Sequence, residues 1–328
     1  MSPVQKRLVA IGLAKQTAKG SPASQPTFYW GVTRGKPANW AITEEAVEVT
    51  GSNPVFTDVD RTLVVPGADF TSLIHPKAIG LLLYGALGSI ATTGAGVPYQ
   101  HVLTPALDLP YLTFFGKAFG GDYMTVQDVK IDSLEITQNN AGRLFVAATM
   151  MGLLFAWGAT PFTPTNDESA GGTPLFRAGG GTFKMDPASG TPVVRNIVSS
   201  SLRINNSMDI VPQSSSVQPG DVLPAVKDIE VSMTLAPDDL TDIRKALTGS
   251  GTGTTISNTP VYGSTDWFYT IDANTDLRLV TSRLQALIDM PEADPKGGHL
   301  PVVVAGKALQ PASGAAVTAT VHNAVASY

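Results

Sequence analysis

Residues Val126–Gly152 read VQDVKIDSLEITQNNAGRLFVAATMMG, and this stretch decides the fold class. Polar and apolar residues alternate on both sides of its Asn-rich centre. A period of two residues is typical of a β-strand with one buried and one exposed face. Two such strands joined by a polar connection predict a β-hairpin.

The same pattern occurs a second time, over Ile197–Pro237. This segment begins IVSSSLRINNSMDI and ends AVKDIEVSMTLAP, so it again joins two alternating strands through a polar, Asn-containing connection. Two hairpins of this kind predict a mainly β fold. Because neither carries a catalytic motif, we expect the surfaces of the sheet to perform the function.

The composition favours a protein that buries surface against partner subunits. Of the 328 residues, 43% are hydrophobic and only 15% are charged, whereas about 25% is usual for a soluble domain. The net charge of −5 argues against a basic surface that grips nucleic acid. The chain has no cysteine, which excludes disulfides, cysteine metal sites and thiol chemistry.

We expect one domain over residues 1–328, with extended segments at its start. Residues 1–30 contain a β-like run at Leu8–Leu13 and predict an N-terminal arm or first strand. Residues 31–72 are rich in Thr, Val and Pro, which favours a long protruding hairpin or loop over a helix. Residues 1–20 lack the pattern of a secretory signal.

Two helices interrupt the strands. The first is predicted at Pro76–Leu87 because its leucines fall near helical spacing, and Gly88 provides a stop. The second is predicted at Asp238–Leu247, with Gly249 as its stop. Strands are then predicted at the following positions: 266–271, 277–288, 300–304 and 315–321.

Motifs for catalysis, cofactors and metals are weak, so we expect neither an enzyme nor a cofactor. The four histidines are dispersed in the sequence, without metal-ligand spacing. Asp272–Asp276 imitates a calcium loop, but Leu277 stands where the turn needs glycine and Arg283 where a glutamate should bind. A β-turn is the favoured interpretation.

One uncharged stretch, Leu144–Phe162, is about as long as a membrane span. It contains Gly152 and Gly158, ends near Pro161, and continues a predicted hairpin. We therefore expect no membrane contact.

The predicted strands carry polar side chains on one face. Asp128, Lys130 and Asp132 alternate with apolar residues in the first hairpin. The second hairpin places Arg203 on one strand, with Asp228 and Glu230 on the strand that returns. This mostly acidic face is typical of a half-exposed sheet in bulk water; a sheet facing an enclosed aqueous channel is the alternative.

At this point the chain resembles the tail tube (major tail) proteins of long, non-contractile-tailed bacteriophages. The resemblance lies in the order of several segments, such as PKAIGLLLYGALG and VKIDSLEITQNNAGRLFVAATMMG. The matching segments are residues 9–33, 76–88, 129–152, 176–185, 194–210, 226–239 and 314–327.

The resemblance implies a tail-tube β-sandwich or barrel with a flanking helix, assembled as hexameric rings that stack into a hollow tube. Residues 31–72 would make many of the contacts between rings, and the arms at 1–30 and 314–328 are the next candidates for such contacts. The partners implied are further copies of the chain, the tape measure protein and other tail proteins. Such a protein is made in the host bacterial cytoplasm and incorporated into the virion tail.

The tube would conduct double-stranded DNA into the host without binding it specifically. An acidic or neutral wall lets DNA slide, whereas a basic wall would hold it. The candidates that face the lumen are Asp128, Lys130, Asp132, Arg203, Asp228 and Glu230.

Other functions stay open at this stage. Related tubes include the inner tube of a contractile tail, a tail terminator and a secretion-system tube. A carbohydrate-binding adhesin is a different class of β-sandwich that usually exposes clustered aromatic residues. The four tryptophans do not cluster in the sequence: Trp30, Trp40, Trp157 and Trp267.

Overall fold

The computed structural model describes residues 10–47, 58–117, 122–139, 142–169, 172–188, 190–237, 240–288 and 301–328. The first strands are β1 (Ala10–Lys15), β2 (Phe28–Gly31), β3 (Arg34–Val47), β4 (Asp58–Leu73), β5 (Gly88–Thr93), β6 (Tyr99–Pro105), β7 (Leu112–Lys117), β8 (Tyr123–Asn139), β9 (Leu144–Met151), β10 (Leu154–Gly158) and β11 (Asn166–Asp167). The others are β12 (Gly181–Asp186), β13 (Val193–Val194), β14 (Ile197–Asn205), β15 (Asp209–Gln213), β16 (Ser216–Leu223), β17 (Asp228–Leu235), β18 (Gly263–Asp272), β19 (Thr275–Ile288), β20 (Val302–Ala308) and β21 (Val317–Asn323). The α-helices are α1 (Ala78–Leu87) and α2 (Thr241–Thr248), and Ala178–Gly180 form a 3₁₀ turn.

The fold is mainly β, as predicted. Its main antiparallel sheet runs in the order β3, β4, β9, β8, β14, β17, β20, β19. The sheet continues from β19 through β21 to β6 and β5, and through β18 to β12 and β13. Both predicted hairpins are present as β8–β9 and β14–β17, and they lie side by side because β8 pairs with β14.

Strand β8 belongs to two sheets. Its second half pairs with β9 and β14 in the main sheet, whereas its first half pairs with β7 and β10. In this second sheet β7 also pairs with β1, and β1 pairs with β2. Between the two halves, Asp128 adopts a positive φ of 53°, a backbone region that few residues other than glycine enter. This break lets one strand serve both layers.

Helix α1 lies inside the fold, with nine of its ten residues buried. The hydrophobic sequence predicts this position, since a helix that is apolar all round must be covered. At its C-terminal end Gly88 adopts φ 102°, and Lys227 Nζ donates to the carbonyls of Ala86 and Leu87 at 2.8 Å each. The Lys227 ammonium thus satisfies two carbonyls that have no partner within the helix.

The segment 317–328 packs within the subunit. Strand β21 lies between β19 and β6, and the Tyr328 ring packs against Phe28 and His101. The Tyr328 hydroxyl donates to the carbonyl of Lys77 at 2.7 Å. A Cβ added to Gly80 would collide with the Tyr328 ring, so glycine permits this close approach.

Both predicted helices are confirmed, with starts that differ from the sequence-based ones by two or three residues. Residues 31–73 provide β3 and β4, which form a long hairpin whose base belongs to the main sheet. The connection between β14 and β17 differs from a simple turn because it contains a second hairpin, β15–β16. Asp272 ends β18 and a tight turn leads into β19, as predicted.

Two further expectations concern membranes and metals. The uncharged stretch 144–162 contains β9 and β10, and no helix in the described ranges is long and apolar enough to cross a membrane. Among those same residues, no group of three or more metal-ligating side chains comes together.

Candidate assembly and lumen surfaces

One face of the main sheet carries a row of mostly polar and charged side chains. Residues directly opposite each other on paired strands share a face, so the register aligns one residue from each of eight strands. In order, this row contains Arg34, Thr71, Ala147, Glu135, Arg203, Glu230, Lys307 and Gln285. All of them are exposed or partly exposed.

A second row runs parallel to the first on the same face. It contains Lys36, Asp69, Thr149, Ser133, Asn205 and Asp228. The row between them points the other way, into the core, and consists of Phe70, Ala148, Leu134, Ile204 and Ile229. We call the exposed side the charged face.

The charged face is electrically balanced on strands β3, β4, β9, β8, β14, β17 and β20. The basic residues Arg34, Lys36, Arg203 and Lys307 match the acidic residues Asp69, Glu135, Asp228 and Glu230 one for one. Opposite charges alternate along the row at Glu135, Arg203, Glu230 and Lys307, an arrangement that stabilises neighbouring strands. Lys307 Nζ lies 2.6 Å from Asp228 Oδ2.

The charged face is also concave. A cavity of about 610 Å³ opens on it between β3 and β14, with Lys36, Asp69, Glu135 and Arg203 among its lining residues. Within the described ranges, Arg203 and Glu135 form no ion pair in the isolated subunit. These side chains are therefore available to solvent or to a neighbouring molecule.

The structure divides the predicted lumen residues into two groups. Arg203, Asp228 and Glu230 lie on the charged face. Asp128 and Lys130 do not, because they are only 3% and 4% exposed and lie inside the subunit. Asp132 lies at a β-bulge between Ile131 and Ser133, and its carboxylate accepts a hydrogen bond from the Met208 N–H at 2.9 Å.

Backbone irregularities at Asp128 and Asp132 explain this difference. Each shifts the alternation of β8, so that the residues facing outward after the bulge are Ser133 and Glu135. The alternation at Glu135 and Thr137 indicates the outward-facing residues of β8 correctly. The sequence-based expectation instead used the irregular part of β8, from Asp128 to Asp132. The mostly acidic face expected from the sequence is therefore corrected to a balanced one.

Lys130 instead joins β8 to the β15–β16 hairpin. Its Nζ donates to the Val222 carbonyl at 2.8 Å and lies 4.2 Å from the centroid of the Tyr111 ring. Burial lowers the pKa of Lys130. The Tyr111 hydroxyl in turn donates to Asp221, which also pairs with Lys19 at 2.9 Å.

We expect Lys130→Met to lower the free energy of unfolding by about 1–3 kcal/mol, because the buried Val222 carbonyl loses its donor. Chemical denaturation measures this change. Lys307→Met is the matched control: its ammonium is exposed, so the loss of its ion pair with Asp228 should have a much smaller effect. Equal effects of the two changes would contradict the role assigned to Lys130.

The β3–β4 hairpin projects beyond the end of the main sheet. Register with β9 ends at Gly67, so the β4 arm continues for nine residues from Pro66 to Asp58, or about 30 Å at the rise of a strand. Residues 41–46 of the β3 arm are all exposed. Across 39–66 the sequence has five acidic side chains and one basic.

An apolar groove of about 260 Å³ lies at the base of this hairpin. Trp40 and Trp157, which are far apart in the sequence, both pack against Phe155, at ring-centroid distances of 5.6 and 5.2 Å. Both tryptophans are exposed, by 47% and 59%. The mainly apolar lining of the groove favours a protein partner over a sugar, which needs more polar groups.

A second apolar surface lies at the β19–β20 end of the main sheet, on the same face as Gln285 and Lys307. Residues 285–288 of β19 pair with β20 on one edge and extend past the end of β18. Leu287 and Val303 are 69% and 51% exposed there, next to Ile256 at 68%. Exposed apolar clusters of this kind mark surfaces that contact other proteins.

A comparison with protein families indicates the kind of protein to which these surfaces belong. A family model described as phage tail tube protein matches residues 7–322. The chain belongs to this family. A search of curated proteins found no match.

As a tail tube protein, the chain is a structural component of the virion tail and assembles with itself and with other tail proteins. Membership explains why the described residues present broad exposed surfaces. The charged face, the projecting hairpin and the two exposed apolar surfaces are features that an assembling subunit needs.

Proposed function

We propose that hexameric rings of this protein stack into a non-contractile tail tube whose lumen is lined by the charged face. The observation that carries this proposal is the charged row, which crosses eight strands and is concave between β3 and β14, while the opposite face forms the core. Arg203, Asp228 and Glu230 remain lumen residues in this proposal, together with Glu135 and Lys307.

A balanced wall suits the passage of double-stranded DNA. DNA carries one negative charge every ~1.7 Å of its axis, and each phosphate neutralised by a protein cation strengthens binding. On the charged face each cation has an acidic neighbour, as Lys307 has in Asp228. Such a wall offers DNA little net attraction, so the genome can move through the tube. In this proposal the protein catalyses no step in the passage of DNA, and we expect no enzymatic activity.

In this proposal, neighbouring subunits of a ring join through the two edge regions of the main sheet. Strand β3 forms one edge, since among described strands it pairs only with β4. Residues 285–288 of β19 offer an open edge beside the exposed Leu287. Joining such edges around a ring removes unpaired strand groups that would otherwise cause aggregation. The β3–β4 hairpin then contacts the next ring, and the tape measure protein occupies the lumen before DNA does.

Cysteine labelling of assembled tubes tests the lumen assignment. Because the chain has no cysteine, an introduced thiol is unique. Ser201 lies on the charged face opposite Thr137, whereas Thr93 is exposed on β5 at another edge. We expect a small maleimide to label both Ser201→Cys and Thr93→Cys subunits. After assembly, a bulky polyethylene glycol maleimide should label only the Thr93→Cys tubes.

Electron microscopy of the same samples shows whether rings and hollow tubes form. Equal labelling of both variants in intact tubes would place the charged face outside the lumen. A wild-type protein that never self-associates, alone or with other tail proteins, would contradict the tube itself.

A further inference from the structure

A polar cavity of about 350 Å³ lies at the N-terminal end of α1, at the end of the main sheet away from the projecting hairpin. Its lining includes His75, Arg143, Glu168 and Arg177. Arg143 comes just before β9, whose first residues pair with the last residues of β4 and β8. The opposite ends of those strands lead toward the base of the hairpin. We call this cavity the socket.

Polar groups on the floor of the socket lack partners. The Glu168 side chain is 4% exposed, and its Oε2 accepts a hydrogen bond from the Ala78 N–H at 3.2 Å. Its other oxygen, Oε1, is buried and has no partner in the described part of the chain; the same holds for His75 Nδ1. Buried polar atoms normally have a hydrogen-bond partner, so these two point to an occupant of the socket. Glu168 Oε1 needs a donor, which a backbone N–H of the occupant can supply and a carboxylate cannot.

The rim of the socket is basic. Arg143 and Arg177 face each other across an isolated β-bridge, and both side chains are exposed. Within the described ranges neither guanidinium takes part in an ion pair. Segments 142–143 and 172–177 contain no acidic residue. Two unpaired guanidiniums attract carboxylates strongly.

The projecting hairpin has the complementary charge. Its arms carry Glu44, Glu45 and Asp60, and Arg61 pairs with Glu44. The hairpin leaves the sheet at one end and the socket opens at the other. Copies stacked head to tail therefore bring the hairpin of one copy to the socket side of the next. Contact between two different surfaces of one subunit produces an open filament.

We propose that the socket receives the acidic β3–β4 hairpin of a second copy, with Arg143 and Arg177 pairing with its carboxylates. This inference rests on the proposed tube and names the residues through which one ring binds the next. The exposed apolar surface around Leu287 and Val303 is formed by β19 and β20 rather than by the hairpin or the socket, so it remains available for neighbours within a ring.

Charge reversal on both sides tests the pairing. We expect Arg143→Glu/Arg177→Glu to reduce the fraction of protein in tubes about tenfold or more, because like charges placed opposite each other repel. Glu44→Arg/Glu45→Arg should have the same effect. A protein that carries all four changes should recover tube formation. Sedimentation and electron microscopy measure the assembled fraction.

Arg244→Glu is the matched control, since it reverses an exposed arginine on α2 outside the socket; it should assemble like wild type. Circular dichroism confirms that each variant is folded. If wild type forms tubes and the socket variant does so equally well, or if the fourfold variant assembles no better than either double variant, the socket assignment is wrong while the tube stands. If wild type does not assemble, the proposed function fails first.

Discussion

Deletion of residues 45–66 will leave a folded subunit that does not form tubes. In register, Asn39 lies opposite Gly67, so residues 40–44 can close the shortened hairpin as a five-residue connection. Of the described residues that are removed, 45–46 and 59–62 are exposed, whereas Val65 and Pro66 are buried. The loss of core packing is therefore confined to the base of the hairpin. Growth of a tube requires every ring to bind the next, so the assembled fraction should fall to background.

Thermal unfolding and electron microscopy check this result together. The unfolding midpoint should stay near that of wild type while hollow tubes disappear, and any association that remains should stop at single rings. Tubes of normal length from the shortened protein would show that other surfaces stack the rings. A collapse of the midpoint would show instead that the hairpin supports the fold.

Tyr328→Ala will destabilise the subunit by about 2–3 kcal/mol. This is less than the loss of a fully buried aromatic side chain costs, because the residue is partly buried and packs against the core. The ring packs against Phe28 and His101 and covers Gly80 of α1. Burial raises the pKa of Tyr328, which agrees with an enclosed hydroxyl. Tyr328→Phe should cost only about 1 kcal/mol, because it keeps the ring and loses the hydrogen bond to the Lys77 carbonyl.

Denaturant titration of the isolated subunit measures both values. The sequence-based expectation assigned 314–328 as an arm for contacts with other subunits. If the segment acts in that way, Tyr328→Ala will assemble poorly but unfold like wild type. Loss of stability before any assembly step would confirm the intramolecular role that the packing of Tyr328 indicates.

The sequence predicted the elements whose patterns are local. The β8–β9 hairpin shows two-residue alternation, and α1 combines helical spacing with a glycine stop, so both were found within a few residues. The β15–β16 hairpin was missed because its residues alternate weakly and it interrupts a longer pair. Its position depends on contacts such as Lys130 with Val222, which join segments 92 residues apart.

The candidate lumen residues show the limit more clearly. Alternation placed Arg203, Asp228 and Glu230 on the face that the structure exposes. It failed at Asp128 and Lys130, because one positive φ at Asp128 redirects the strand. Lys307 lies beside Asp228 only through the pairing of β17 with β20. Such a pairing between distant strands leaves no signal in either segment.

The strand order also determines when each assembly surface appears during folding. The arms of the hairpin pair locally and can form early, whereas pairings between distant strands form slowly, on a scale of ms to s. The socket is complete only after Glu168 has reached Ala78, 90 residues away in the chain. A nascent subunit therefore acquires the hairpin before it acquires the surface that would accept one. Under the proposed stacking, only a fully folded copy presents the socket through which the filament can be extended.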